Sequence, residues 1–96
     1  MNLNESLEFI RRTVRKYLSE EDCEVFVYGS RAGGKADRWS DIDVGIKGEK
    51  EVPVRKLALI AEELENSKIP YKVDVVDFTR TSDDFRRLAL KEIIKL

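Results

Sequence analysis

The residues with the most chemistry in their spacing are Gly29-Ser30 and Asp41-Ile42-Asp43. The apolar run Val27-Tyr28 leads into the Gly-Ser pair, and Ser40-Asp41-Ile42-Asp43-Val44 begins ten residues after Ser30. A glycine lets backbone N–H groups approach a phosphate closely, and a serine hydroxyl at the start of a helical turn adds a donor. On a strand, Asp41 and Asp43 share one face about 7 Å apart. Carboxylates so close repel each other unless a cation sits between them, and hard oxygen ligands favour Mg²⁺, which completes its shell with water and substrate phosphates. Asp74 is the third acid of interest, held between Val73 and Val75 in an apolar run. Beside the first two it completes a three-carboxylate cluster suited to nucleotidyl transfer on two metals. Arg31 and Lys35 are nearby cations for a triphosphate or leaving pyrophosphate.

The chain has no histidine, so neither the usual general base nor the usual transition-metal ligand is present. Its single cysteine, Cys23, has no partner for an internal disulfide or zinc knuckle. Lys and Arg number 18 against 19 Asp and Glu, a net charge of −1, which argues against binding nucleic acid by bulk charge. No apolar run approaches the length of a membrane span and no basic-then-apolar leader opens the chain. A soluble cytoplasmic protein with no membrane association is therefore expected.

These groups need elements to hold them. Leu3, Leu7, Ile10, Val14 and Leu18 recur at helical spacing, predicting an amphipathic helix over about residues 4–19. Glu24 to Tyr28 reads as a buried strand, and Lys35 to Ser40 as a loop in which Trp39 packs on the core. Asp41 to Ile46 alternates polar and apolar residues and reads as a second strand. Pro53 suits the first turn of a helix carrying Leu57, Ile60, Ala61 and Leu64. Tyr71 to Val76 returns as a strand, and Thr81 or Ser82 caps a last helix with Phe85, Leu88, Ala89, Ile93 and Leu96 on one face. Leu90 and Ile94 broaden that stripe. The expectation is one α/β (α+β) domain over residues 1–96, a small mixed β-sheet flanked by helices in the order α-β-β-α-β-α.

Taken singly, each element has an ordinary reading: a turn, a surface strand end, an edge-strand acid, solvated loop charges. Their conjunction is the specific signal. The pattern resembles the nucleotidyltransferase superfamily that includes DNA polymerase β and kanamycin nucleotidyltransferase. It is most similar to the minimal nucleotidyltransferase (MNT) group, in Gly29-Ser30-Arg31-Ala32-Gly33-Gly34, Ser40-Asp41-Ile42-Asp43 and Val73-Asp74-Val75-Val76-Asp77. The resemblance covers about residues 24–90 and implies the nucleotidyltransferase fold. It implies that Gly29 and Ser30, with Arg31, Lys35 and Ser40 around them, bind nucleotide, and that Asp41, Asp43 and Asp74 are catalytic metal ligands. It further implies Mg²⁺, ATP as substrate, transfer of AMP, and a HEPN-type helical partner in a toxin–antitoxin pair of MntA type, as a homodimer or hetero-oligomer. The group's frequent Arg after Gly-Ser-x-Ala is Gly33 here, so that phosphate contact is either absent or taken by Arg31. The helical acceptor-binding domain of larger superfamily members has no counterpart in these residues. A non-catalytic module that neutralises a HEPN-type partner by complex formation is the alternative reading. Transfer to RNA or to a small molecule is disfavoured by the near-neutral charge and the missing acceptor domain.

Overall fold

The computed structural model describes residues 1–96. Helix α1 (Leu3–Tyr17) starts where Asn2 caps it: the Asn2 side chain accepts from the Glu5 N–H, and the Glu5 carboxylate accepts in return from the Asn2 N–H. Strand β1 (Cys23–Tyr28) ends in a 3-10 turn over Gly29–Arg31, and β2 (Ile42–Gly48) returns antiparallel to it. Helix α2 (Val54–Glu65) then carries the chain to β3 (Val73–Asp77), which lies parallel to β2. A second 3-10 turn (Phe78–Arg80), helix α3 (Asp83–Ala89) and a short β4 (Ile94–Lys95) complete the chain. The sheet order is β3-β2-β1-β4.

The sheet's two faces are built differently. On one, Val25, Val27, Ile42, Val44 and Ile46 pack with Ile10 and Val14 of α1 and Ile60 and Leu64 of α2 into the main core. Each fully buried aliphatic side chain of this kind contributes roughly 2 kcal/mol. On the other, Phe26, Tyr28, Phe78 and the half-exposed Phe85 pack edge-on or tilted, with neighbouring ring centroids 5.0–6.4 Å apart. Gly45 makes room for them, since a Cβ there would lie 2.4 Å from the Phe26 ring and 2.7 Å from that of Phe78.

The expected order holds through its last helix and then departs from expectation. That helix stops at Ala89, capped at its start by Ser82 Oγ as anticipated. Beyond it, Ile94 pairs with Val27 and the Leu96 N–H donates to Val25 O, so the segment becomes an edge strand on β1. The stripe read as one helical face is therefore split between a helix and a strand. β-branched Ile93 and Ile94 favour the extended state once a free sheet edge is available. Trp39 also departs from expectation: it is 71% exposed with Arg38 over its ring instead of packed on the core. No helix is long and apolar enough to cross a membrane.

Candidate active site

The site grows from the end of β1. Gly29 has φ +75°, a left-handed conformation that side-chain-bearing residues avoid. A Cβ at this position would lie 2.6 Å from Asp43 Oδ2, so only glycine lets the carboxylate rest against the turn. The Gly33 N–H closes the turn onto Gly29 O at 3.1 Å, and the Lys35 N–H donates to Ser30 O at 2.9 Å. Ser30 itself stands exposed.

Strand register brings the acids together. Tyr28 pairs with Asp43, and Asp43 pairs with Asp74, forming one row across β1, β2 and β3. The residues alternating with them, Val27, Val44 and Val75, point into the helix-covered core, so the row lies on the aromatic face. Asp41 sits exposed one residue ahead of β2. Burial, together with the negative charges of Asp74 and Asp41, pushes the Asp43 carboxyl above its usual range, and Lys72 only partly offsets this. The Tyr28 phenol is pushed up by burial and by the same two row acids, Asp43 and Asp74.

As positioned, no three acids converge into a ready-made metal ligand set. The donor chemistry nonetheless suits a divalent cation. Asp43 and Asp74 are hard oxygen donors, mutually repelling and short of positive charge, and such a cation takes the rest of its shell from water and phosphate.

The flanking residues divide into two groups. Arg31, anticipated as a phosphate cation, donates from Nε and Nη2 to Ser40 O at 3.1 and 2.5 Å, and its guanidinium lies 4.7 Å from the centre of the Tyr71 ring. Ser40 Oγ is engaged with Asp37, accepting from its N–H at 3.0 Å. Lys35 lines a cleft of about 270 Å³ together with Gly29, Ser30 and Gly33, and Leu88, Ala89, Lys91 and Glu92 complete the lining. A Cβ on Gly33 would stand at ordinary contact distance, 3.4 Å, from Glu92 Oε2, so the two walls of the cleft approach each other here. A larger hollow of about 850 Å³ is lined by Leu18, Cys23, Lys47, Val52 and charged loop residues, away from the Gly-Ser turn and all three acids. The smaller cleft is the relevant one because it contains the turn.

Sequence reasoning overlooked Lys72, Lys91 and Glu92. Lys72 was findable, because it lies two residues before Asp74, just ahead of β3, where period-2 alternation sets it in phase with the acid. Lys91 and Glu92 carried no signal, being assigned to a helix that ends before them.

Comparison with known proteins agrees with this geometry. The family described as "Polymerase beta, Nucleotidyltransferase" matches residues 10–96. A relative from Haemophilus influenzae Rd, "Probable protein adenylyltransferase MntA", is 36% identical over 70 residues, covering 73% of this chain and 61% of that protein. The chain thus aligns with about six tenths of that relative's length. A solved structure provisionally described as a minimal nucleotidyltransferase superposes with a TM-score of 0.71 at 29% identity, covering 100% of this chain and 97% of its own. The fold is also that of a Shewanella oneidensis complex between a tri-AMPylated HEPN toxin and an MNT antitoxin (TM-score 0.71, 16% identity, 96% of this chain and 69% of that one). With its motif, its sheet and its matched length in agreement, the chain belongs to the polymerase β nucleotidyltransferase family.

Proposed function

We propose that this chain transfers AMP from MgATP to a hydroxyl of a partner protein, a HEPN-type helical toxin, and so acts as the antitoxin of the pair. The observation that carries this reading is the in-register Asp43–Asp74 pair, with the glycine turn packed directly under the Asp43 carboxylate. Family membership and the adenylyltransferase description of the Haemophilus relative support it.

In this reading the Gly29-Ser30 turn holds the triphosphate, and Lys35 and Lys91 at the cleft counter its charge. Asp41, Asp43 and Asp74 would hold Mg²⁺, which supplies charge neutralisation and a lowered pKa for the attacking hydroxyl. The acceptor oxygen bonds to the α-phosphorus, the bond to the bridging oxygen breaks, and pyrophosphate leaves. In this reading Asp74 receives the hydroxyl proton. The acceptor surface belongs to the partner, in a hetero-oligomer with it.

The test incubates the chain with its HEPN partner and MgATP and reads the partner by mass spectrometry. Added AMP is expected, with D43N reducing its rate at least about 100-fold. An unmodified partner that is still neutralised, by the D41N and D43N variants as well as by the unaltered chain, would overturn the enzymatic reading in favour of neutralisation by complex formation.

A further inference from the structure

Arg31 sits where three segments meet. It follows the Gly29-Ser30 turn directly, its Nε and Nη2 both donate to Ser40 O, and its guanidinium face lies over Tyr71. Ser40 is the residue before Asp41. Tyr71 is the residue before Lys72, whose carbonyl accepts from the Ile42 N–H at 2.9 Å. One half-buried side chain therefore ties the phosphate-side turn to the backbone step leading into Asp41 and to the step leading into Asp74.

Asp41 needs such a tie. It lies outside the β2 ladder, exposed, and close enough to Asp43 to act on it as a like charge. Like charges this close push the two carboxylates apart, and Asp41 has no ladder bond of its own to resist. Arg31 opposes this through the backbone carbonyl, leaving the Asp41 carboxylate free, and its planar fork and stacking face do so in a way that Lys cannot reproduce.

We propose that Arg31 is a positioning residue: it holds Asp41 and the start of β3 in place against the Gly-Ser turn, so that Asp41 joins Asp43 and Asp74 toward the divalent cation accompanying the nucleotide. The proposal rests on the nucleotidyltransferase reading, and it assigns Arg31 to the metal side of the site, away from the phosphates.

The full chain and its R31A and R31K variants test it with three measurements: amide hydrogen exchange, Mn²⁺ affinity in the presence of ATP by electron paramagnetic resonance, and ATP affinity in EDTA. In R31A, exchange at the Ile42 amide is expected to quicken about tenfold while Val44 and Ile46 stay protected. Mn²⁺ affinity is expected to fall by about 10- to 100-fold, the usual cost of losing a group that orients a metal ligand. ATP affinity in EDTA stays within about twofold, and R31K behaves like R31A, because a lysine makes neither the double bond to Ser40 O nor the stack.

Unchanged Ile42 exchange overturns the proposal, as does a loss of ATP affinity in EDTA, which would make Arg31 a phosphate ligand. Full Mn²⁺ affinity in R31K would show that charge alone matters, and loss of protection at Val44 and Ile46 would show a general structural role. If the unaltered chain binds no Mn²⁺-ATP, the enzymatic reading fails, and Ile42 exchange still decides whether Arg31 ties the segments.

Discussion

The two ends of β3 carry acids of opposite character. Asp77, at its last position, is 3% exposed and surrounded by donors: the Val52 N–H at 2.8 Å, the Thr79 N–H at 3.0 Å, Thr79 Oγ1 at 2.8 Å and Arg80 Nε at 3.1 Å. Burial alone would push its carboxyl up, but these bonds together hold it below the usual range. Asp74, near the other end, instead faces Asp43 across the parallel register. Asp43 is pushed up, first by burial and then by Asp74 and Asp41. An acid saturated with donors is a finished structural joint, here tying β3 to the segment ahead of α2. Acids aimed at one another with too few donors store repulsion that a cation can relieve. Within one sheet, the first kind supports the fold and the second is available for chemistry.

Asp77→Asn tests this contrast most severely. It turns one acceptor into a donor facing donors, and leaves Arg80 without its buried partner. The expected loss is about 3 kcal/mol, because the Val52 and Thr79 donors lose their charged acceptor, while the part-exposed Arg80 keeps Glu51 and the Val52 carbonyl. For a domain of this size that lowers the thermal midpoint by about 12 °C or more, readable by calorimetry. A loss below about 1 kcal/mol would break the distinction between the two ends. The pH dependence follows from the depressed carboxyl. The stabilisation from Asp77 is fully present above the ordinary Asp value of about 3.9 and is lost as pH falls through the lower folded value. The D77N variant should lack that part of the acid limb.

Gly29→Ala attacks the other end. The left-handed φ of +75° and the 2.6 Å approach to Asp43 Oδ2 both have to yield. A cost of about 2 kcal/mol is expected. AMP transfer should fall further than stability accounts for, because the displaced carboxylate is the one next to the turn. Transfer kinetics measured well below the unfolding midpoint check this, and an unimpaired rate would separate the turn from the carboxylate row.

The smallest effect has the opposite sign. Asp43→Asn, which disables the proposed chemistry, should stabilise the metal-free chain by about 1 kcal/mol at neutral pH. With its folded carboxyl raised, Asp43 favours folding below its ordinary value, and that contribution is lost as pH rises through the raised one. Adding Mg²⁺ at neutral pH should raise the midpoint of the unaltered chain, and this response should weaken in D43N. Equal midpoints with and without Mg²⁺ would show that the row does not bind the cation.

Much of the site was legible because its first half is local. A strand, a Gly-Ser turn and a period-2 pair of aspartates lie within one short stretch, and each is a statement about neighbouring residues. Asp74 was legible because a charge inside Val73–Val76 contradicts its surroundings. Asp77 was not singled out, since its donors come from Val52, Thr79 and Arg80, and the Val52 contact depends on how α2 leads back to the sheet. Arg31 was read from its type as a phosphate cation, whereas its geometry pairs it with Ser40 O and Tyr71. The final strand was read as helix because Ile93, Ile94 and Leu96 also fit a helical stripe, and only the free edge of β1 decides between the two.

The sequence by itself determined the element order through α3, the Ser82-capped start of that helix and the presence of a Gly-Ser turn followed by paired acids. Those properties are set by side-chain period and backbone preference over a few residues. Tertiary structure decided that Asp43 and Asp74 are neighbours, that Asp77 is a joint, that Arg31 ties three segments and that the chain's last residues close the sheet. Each of these is a contact between segments distant in sequence. Such contacts depend on strand register and crossover, which spacing along the chain does not encode.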